Sequence, residues 1–360
     1  MKRNTNSTTL MKPVEHTSTM PAWLDNSGPE TDIVVSTRVR LARNLEGRQF
    51  PQKASLPERK GIFEYITSQL KAIKEYDAFT VVNFKEITNV KQRLFVERRL
   101  ASPDLLSVEG DRGVIAGDRN RIAIMINEED HLRLQCLNSG YRPEEIWRVV
   151  DTMDTRIGEH IRFAFDKQRG FLTSCPTNSG TGMRVSFLMH LPGLVLTKAI
   201  DQVLQGAEQL GITTRGFFGE HSDVVGSFFQ LSNYATLGVQ EEEFLENTTG
   251  AVQKIITHER AARKTVFEQA RAEISDKIMR SLGILRHAVM LEINEFINLA
   301  SALRLGIHYD VVPSLSIQQI NYLMLTVLPA HLQEKLGRQL EDREMKIERA
   351  SIVKTFLNGN

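Results

Sequence analysis

Apolar residues along this chain follow two rhythms, and the change between them falls near residue 240. Before it, β-branched and apolar residues come in short runs that read as strands: IVVSTRVRL from residue 33, FTVVNF near 80, RLFVE near 95, VIAG near 115 and RIAIMIN over 121–127. Further strand-like runs stand at 161–165, 171–174, 185–189 and 228–231, and segments 143–163 and 194–210 look helical between them. After residue 240 the strand pattern stops. Val252, Ile255, Ile256, Val266, Phe267, Ala270, Ile274 and Ile278 recur at steps of three and four, which predicts one stripe of a long helix. Helical segments 284–303, 316–328 and 331–356 follow, punctuated by Gly306, Pro313 and Pro329. The expected layout is a mobile tail over 1–30, where neither rhythm is present, a mixed α+β domain with a many-stranded sheet over 31–240, and an all-α domain over 241–360.

Composition narrows the function classes. A chain of 360 residues with 41% hydrophobic and 25% charged residues is an ordinary globular one. Its 45 Lys plus Arg against 44 Asp plus Glu leave a net charge of +1, so nothing draws the whole molecule to nucleic acid or anionic lipid. Any anion site has to be built locally. Two cysteines, Cys136 and Cys175, are too few for a disulfide framework, and with no signal-peptide pattern a reducing cytoplasm is expected. The apolar stretch near 191–196 is interrupted well short of the ~18 residues that cross a bilayer, so no membrane span is expected.

Neither G-x-x-x-x-G-K-[ST] nor G-x-G-x-x-G occurs, so phosphate would have to be held by arginines. Arg38 and Arg40 lie two apart and would leave the same face of a strand. Arg133, Arg184 and Arg215 stand in or beside other apolar runs. Five guanidiniums in one cleft could neutralise a triphosphate with Mg²⁺, since the planar fork grips phosphate oxygens in pairs. Taken singly, each arginine is more often a solvated or salt-bridged surface residue. A second set is acidic and thiol: Asn127-Glu128-Glu129-Asp130-His131, Gly219-Glu220-His221-Ser222, and Cys175 in FLTSCPTN. Carboxylates and a thiol beside arginines call for a cationic ligand, and a guanidinium substrate is one. Cys136 reads as a small core residue.

STRVRLARN (36–44), NEEDHLRLQ (127–135), TSCPTNSGTGMR (173–184) and RGFFGEHSDVVGSFFQLSN (215–233), with HERAAR at 258–263, resemble the phosphagen kinases, and among them the protein-arginine kinases. The resemblance covers roughly 24–360. It implies an α+β catalytic domain with a mainly antiparallel sheet flanked by helices, then an all-α domain for dimer formation and phosphoarginine recognition. It further implies transfer of the γ-phosphoryl of MgATP to arginines of proteins, marking them for proteolysis. Relatives that phosphorylate free guanidino compounds carry a small helical domain before the STRVR strand; only thirty-five residues precede Ser36 here, so an open site admitting a protein chain is expected.

Position by position, the resemblance makes Arg38, Arg40, Arg133, Arg184 and Arg215 the nucleotide-phosphate arginines. It makes Ser36, Thr37 and Val39, then Val185, Ser186, Phe187 and Leu188, then Gly216, Phe217, Phe218 and Gly219 the other nucleotide contacts. Glu129 and Glu220 would bind the guanidinium, with Glu220 as base, and Cys175 would be the active-site thiol. No protein side chain is expected to ligate the metal, which arrives with ATP. A zinc-binding activator and a Clp-type unfoldase–protease are the implied partners, and a homodimer the implied assembly. Two departures stand out. Relatives have His where this chain has Arg99, before Leu100-Ala101-Ser102-Pro103, and their Arg-Asp-x-x-Arg-Ala sensing motif is reduced at 345–350 to Arg349 and Ala350, leaving Arg349 as the phosphoarginine-pocket residue. The alternatives are a kinase of free arginine or another guanidino metabolite, and a weakly catalytic phosphoarginine-binding adaptor.

Overall fold

The structure, a computed structural model, describes residues 20–117, 119–217, 224–233 and 240–359. Its strands are β1 (Val34–Arg43), β2 (Thr80–Asn83), β3 (Gly113–Gly117), β4 (Ile122–Ile126), β5 (Leu132–Ser139), β6 (Phe165–Asp166), β7 (Gly170–Phe171), β8 (Met183–His190), β9 (Ile212–Arg215) and β10 (Phe228–Asn233). Eight of them form one antiparallel sheet in the order β2-β3-β4-β5-β1-β8-β10-β9, with β6 and β7 paired apart from it. Helices α1 (Leu56–Lys71), α2 (Asn89–Glu97), α3 (Asp104–Ser107), α4 (Pro143–Gly158), α5 (Pro192–Leu196) and α6 (Ile200–Gln209) interleave with the strands. The chain then continues as α7 (Glu241–Gln269), α8 (Arg271–His287), α9 (Ile293–His308), α10 (Ile317–Thr326), α11 (Pro329–Leu336) and α12 (Asp342–Asn358).

Strand periodicity gives the sheet two unlike faces. Val39, Leu41, Leu134, Cys136, Val185 and Phe187 are fully buried and share one core with Ile66 of α1, Val150 of α4 and Ile255 of α7. Each large aliphatic there contributes about 1.5–3 kcal/mol on burial, so a one-residue slip that turned Arg38 and Arg40 into this core is strongly disfavoured. The opposite face is apolar only at its margins. Phe84, Phe95 and Leu105 cover Val114 and Met125 at one margin. At the other, Phe296, Ile297 and Met324 of the helical half share a core with Val35, Leu137, Leu188 and Phe228. The charged middle of this face lies between the two.

Several elements differ from their sequence reading. RLFVE is the end of α2, capped by Thr88, whose side chain accepts from Lys91 N; five residues alternating at a strand's period also fit a helix turn. The runs at 161–165 and 171–174 contribute only the short β6 and β7. The helical stretch over 194–210 is two helices, α5 and α6. The long helix breaks at Ala270, between α7 and α8. Within the segment read as a tail, Ala22–Leu24 form a buried 3-10 turn, and Trp23 Nε1 donates to the Arg98 carbonyl at 3.1 Å.

Packing divides later than the rhythm does. Leu245, Val252, Ile255 and Ile256 of α7 lie in the core under the sheet, whereas Ile274, Ile278 and Leu282 of α8 lie in the second core. The HERAAR segment fixes α7 in place. Glu259, fully buried, accepts from the backbone N–H groups of Gly193 and Leu194 at 2.9 Å each, capping α5, and pairs with Arg263 at 2.6 Å. Arg263 donates onward to the His190 carbonyl at 2.9 Å. A Cβ on Gly193 would stand 2.7 Å from Arg263 N, so only glycine lets α5 approach α7 this closely.

Candidate active site

The turn between β4 and β5 assigns each residue of NEEDH a separate task. Asn127, with φ of 57°, starts the reversal, and its amide donates to the carbonyls of Arg59 and Asp111 at 2.8 Å. Glu128 is buried and accepts from Ser102 and, at 2.6 Å, from Arg133. Burial would raise its carboxyl, but Arg133, Ser102 and Arg40 together hold it below the ordinary value. Asp130 accepts from Asn44 at 2.6 Å and from Ser174 N at 2.7 Å, yet burial keeps its pKa raised. His131 Nδ1 accepts from Leu45 N at 3.0 Å, so Nε2 carries the proton and donates to the Gln49 carbonyl at 2.9 Å. Burial lowers this imidazole to about 4 and leaves it neutral.

Glu129 is the acid of this turn left half exposed. Burial first, then Asp130, raises its pKa against the pull of Arg133. Its carboxylate accepts from Asn178 at 3.4 Å, and its carbonyl from Ser174 Oγ at 2.7 Å. Ser174 therefore sews the acid turn to the loop carrying Cys175. That thiol, half-buried, lies 2.9 Å from Thr177 Oγ1, while the Cys175 carbonyl accepts from Thr173 at 2.7 Å. Glu129 and Cys175 thus sit on adjoining loops. Cys136 is fully buried in the core.

The arginines gather on the charged face. Arg38 stands opposite Ser186, and Arg40 opposite Arg184 on β8 and Gln135 on β5; Arg133 comes from β5 and Arg215 from β9, where it pairs with Gln230. Arg38 donates to Ser186 at 3.3 Å and to Gln230 at 3.5 Å, and Arg184 to Ser232 at 3.0 Å. Burial, then Arg99, Arg133, Arg184 and Arg215, push Arg38 well below an ordinary arginine, and burial followed by Arg38 does the same to Arg40. Burial lowers Arg184 to about 10, helped by Arg215 and Arg133. Arg133 alone is raised: burial opposes its charge most, but Glu128, Glu129 and Asp130 together outweigh it. Four of the five predicted arginines, Arg38, Arg40, Arg133 and Arg215, line a cleft of about 450 Å³. Mutually repelling cations around an open volume are a site for a polyanion.

The two-residue period separates the other predicted contacts. Ser36, Ser186 and Leu188 share the arginine face, whereas the side chains of Thr37, Val39, Val185 and Phe187 leave from the opposite one. Thr37 Oγ1 donates to the Gly140 carbonyl at 2.6 Å, and Val39, Val185 and Phe187 are core residues. Those four side chains are unavailable to a ligand in the cleft. Gly216 follows β9 directly, and Phe217 lines the cleft. Phe218, Gly219 and Glu220 lie outside the described residues.

The profile of the ATP:guanido phosphotransferase C-terminal catalytic domain matches residues 61–262, and that of the protein-arginine kinase McsB C-terminal domain matches 271–359. Protein-arginine kinases of Moorella thermoacetica and Bacillus subtilis are each 37% identical to this chain, over 94% of it and over 97% and 94% of their own lengths. The chain belongs to the protein-arginine kinase branch of the ATP:guanido phosphotransferase family. The crystal structure of lombricine kinase is similar to it at 25% identity and a TM-score of 0.58, over 66% of this chain and 68% of that one. The duplicated taurocyamine kinase from Schistosoma mansoni, with bound transition state analog components, is similar at 25% identity and a TM-score of 0.60, over 68% of this chain and 36% of that longer one. Among the described residues no helix is long and apolar enough to cross a membrane.

The structure gives a setting to two further residues that the resemblance singled out, Arg99 and Arg349. Arg99 has a left-handed backbone (φ 61°) and lines the cleft. Its guanidinium lies 4.8 Å from the Trp23 ring and 5.4 Å from the Phe217 ring and donates to the Phe217 carbonyl at 2.9 Å. Burial lowers its pKa to about 10. Arg349, read as a phosphoarginine-pocket residue, is 3% exposed and donates to the carbonyls of Val327 at 3.1 Å and Leu291 at 2.7 Å. Its Nε and Nη1, so committed, tie α12 to the residues that flank α9 and α10. Sequence reasoning also passed over Gln230 and Ser232, although polar residues two apart inside the apolar run FFQLSN are a signal for a functional strand face.

Proposed function

We propose that this protein transfers the γ-phosphoryl group of MgATP to the guanidinium of arginine residues in proteins. The observation that carries the reading is the convergence of Arg38, Arg40, Arg133 and Arg215 on one cleft, with Glu129, beside Arg133, on a loop adjoining that of Cys175. In this reading the arginines and Mg²⁺ hold the phosphates, and charge spread over the equatorial oxygens of a loose transition state is met by donors already in place.

The proton is the obstacle. A guanidinium has a pKa of about 12.5 and a carboxylate about 4.3, so removing the proton beforehand would cost on the order of 11 kcal/mol. We assign Glu220 the role of accepting it as the N–P bond forms and the nitrogen lone pair is committed. Glu129 fixes the guanidinium plane by charge-assisted hydrogen bonds. Cys175 contacts the substrate without forming a phosphocysteine. The same reading takes a cytoplasmic homodimer that marks proteins for a Clp-type unfoldase–protease, with a zinc-binding activator; family membership supports these partners.

The test is mass spectrometry of a model protein incubated with the enzyme and MgATP, worked up without acid because the N–P bond is acid-labile. Phosphoarginine on the protein is the expected product. Phosphorylation of free arginine in its place would move the assignment to a guanidino-metabolite kinase, and no transfer to either would end it.

A further inference from the structure

The acidic turn can recognise a guanidinium, and that group is the same on every arginine of a protein. Choice among arginines has to come from what the neighbouring residues of the substrate meet. Next to the site stands the β6–β7 hairpin, which opens straight into the loop carrying Cys175. Phe171 exchanges backbone hydrogen bonds with Gly180 at 2.8 and 3.3 Å and so closes that loop at its base. We propose that the exposed side of this hairpin docks the stretch of substrate polypeptide beside the target arginine, and that it selects stretches carrying acidic residues. The inference rests on the kinase reading above and extends it to which arginines are taken.

The hairpin carries an exposed aromatic ring on a rigid base. Phe165 is 58% exposed, more than any other aromatic side chain among the described residues. Its ring stands edge-on to Phe171 at 5.2 Å, and Phe171 lies 3.5 Å from the Arg43 guanidinium, which Asp154 holds at 2.7 Å. The ring therefore has a fixed seat. A fixed aromatic can cover an apolar side chain of a partner with little further loss of conformational freedom.

Charge sets the kind of partner. Residues 162–171 hold Arg162, Lys167 and Arg169 against the single acid Asp166. All three cations are exposed, and none has an ion-pair partner among the described residues. Asp166 is already engaged: its Oδ1 accepts from Gln168 N at 2.9 Å and from Arg169 N at 3.0 Å. The Arg162 carbonyl accepts from Glu46 N at 3.0 Å and ties in the neighbouring segment, whose exposed charges, Glu46 and Arg48, cancel. The seat of the target is thus acidic and the hairpin beside it basic. A polypeptide that offers a cation to Glu129 is held by acids close to that cation and repelled if it brings further lysines. Phe171 and Cys175 are four residues apart, at most about 14 Å of extended chain, so about four or five residues of substrate span the same distance.

Three unstructured synthetic polypeptides of one length, each with a single arginine between flanks of aspartate, serine or lysine, test this when phosphoarginine formation is followed with the full chain and MgATP. The aspartate-flanked polypeptide should exceed the lysine-flanked one by about tenfold in kcat/KM, with most of the difference in KM. Lys167→Glu combined with Arg169→Glu should bring the two within about twofold or reverse their order. Phe165→Ser should raise KM for all three by about threefold or more. Both variants should bind MgADP like wild type, which shows that they fold. The same charge exchange on α8, Lys277→Glu with Arg280→Glu, should leave the preference intact. Equal use of the aspartate and lysine polypeptides by wild type, a preference that survives the hairpin exchange or is lost equally in the α8 exchange, or an unchanged KM in Phe165→Ser would overturn the docking surface and leave the kinase reading standing. A wild type that phosphorylated none of the three would also overturn the docking surface, and failure on a folded protein as well would overturn the kinase reading with it.

Discussion

Two sets of arginines in this molecule are treated in opposite ways. Arg43 and Arg263 are saturated. Arg43 donates to Asp154 at 2.7 and 2.9 Å and to the carbonyls of Ala42 and Thr181, and lies 3.5 Å from the Phe171 ring. Arg263 is shared between Glu259 and backbone carbonyls. In the cleft, Arg38 has only long contacts to Ser186 and Gln230, and Arg40 Nε is buried with no hydrogen-bond partner among the described residues. The first group was assembled to be complete in the fold. The second leaves donors unmet that an arriving anion can satisfy, at some expense to stability.

The largest expected effect separates the groups on stability. Arg263→Ala strands Glu259 as a buried carboxylate and should lower unfolding free energy by about 3–5 kcal/mol in urea titrations; an unchanged midpoint would erase the contrast. Arg40→Ala should do the reverse. Turnover should fall 10²- to 10³-fold, about 2.7–4 kcal/mol of transition-state stabilisation, with the unfolding midpoint equal to wild type or higher because a repelling charge is gone. A joint loss of activity and stability would make Arg40 a scaffold residue.

Glu129→Gln gives the smallest effect and sharpens the comparison on the acidic side. The folded-state pKa of Glu129 is raised above that of the unfolded chain, so the stability it contributes is present below about 4.3 and lost as pH rises through the raised value. Gln should therefore match wild type in thermal melts in acid and exceed it slightly near neutrality, while turnover drops. Equal melting at both ends of that window would mean Glu129 is not strained by its burial beside Asp130.

Much of this arrangement was legible in the chain, and the rest depended on contacts made far away in sequence. Arg38 and Arg40 could be placed on one face because a strand's period is two, and the same rule would have sent Val39, Val185 and Phe187 to the core had it been applied to every residue of the contact segments. The acidic turn was found, but that Glu128 is committed to Arg133 and Ser102 while Glu129 stays half exposed is set by contacts that spacing does not show. No glycine or proline marks the break at Ala270. Trp23 looked like tail because its partner, the Arg98 carbonyl, lies 75 positions away. Arg99 enters the cleft through a left-handed backbone that local propensity disfavours in a non-glycine residue. Glu220, the proposed base, lies outside the described residues, so its place rests on its motif.

His131 anchors the acidic turn as an uncharged ring, through Leu45 N–H and the Gln49 carbonyl. Ionic strength screens charges and has little hold on a buried neutral hydrogen bond. The arginine wall and the acidic turn thus answer differently to dissolved electrolyte: it competes with a polyanion for the cationic wall, while the turn carrying Glu129 stays where it is. Potassium or sodium chloride becomes a dial on the one, with the other left in register.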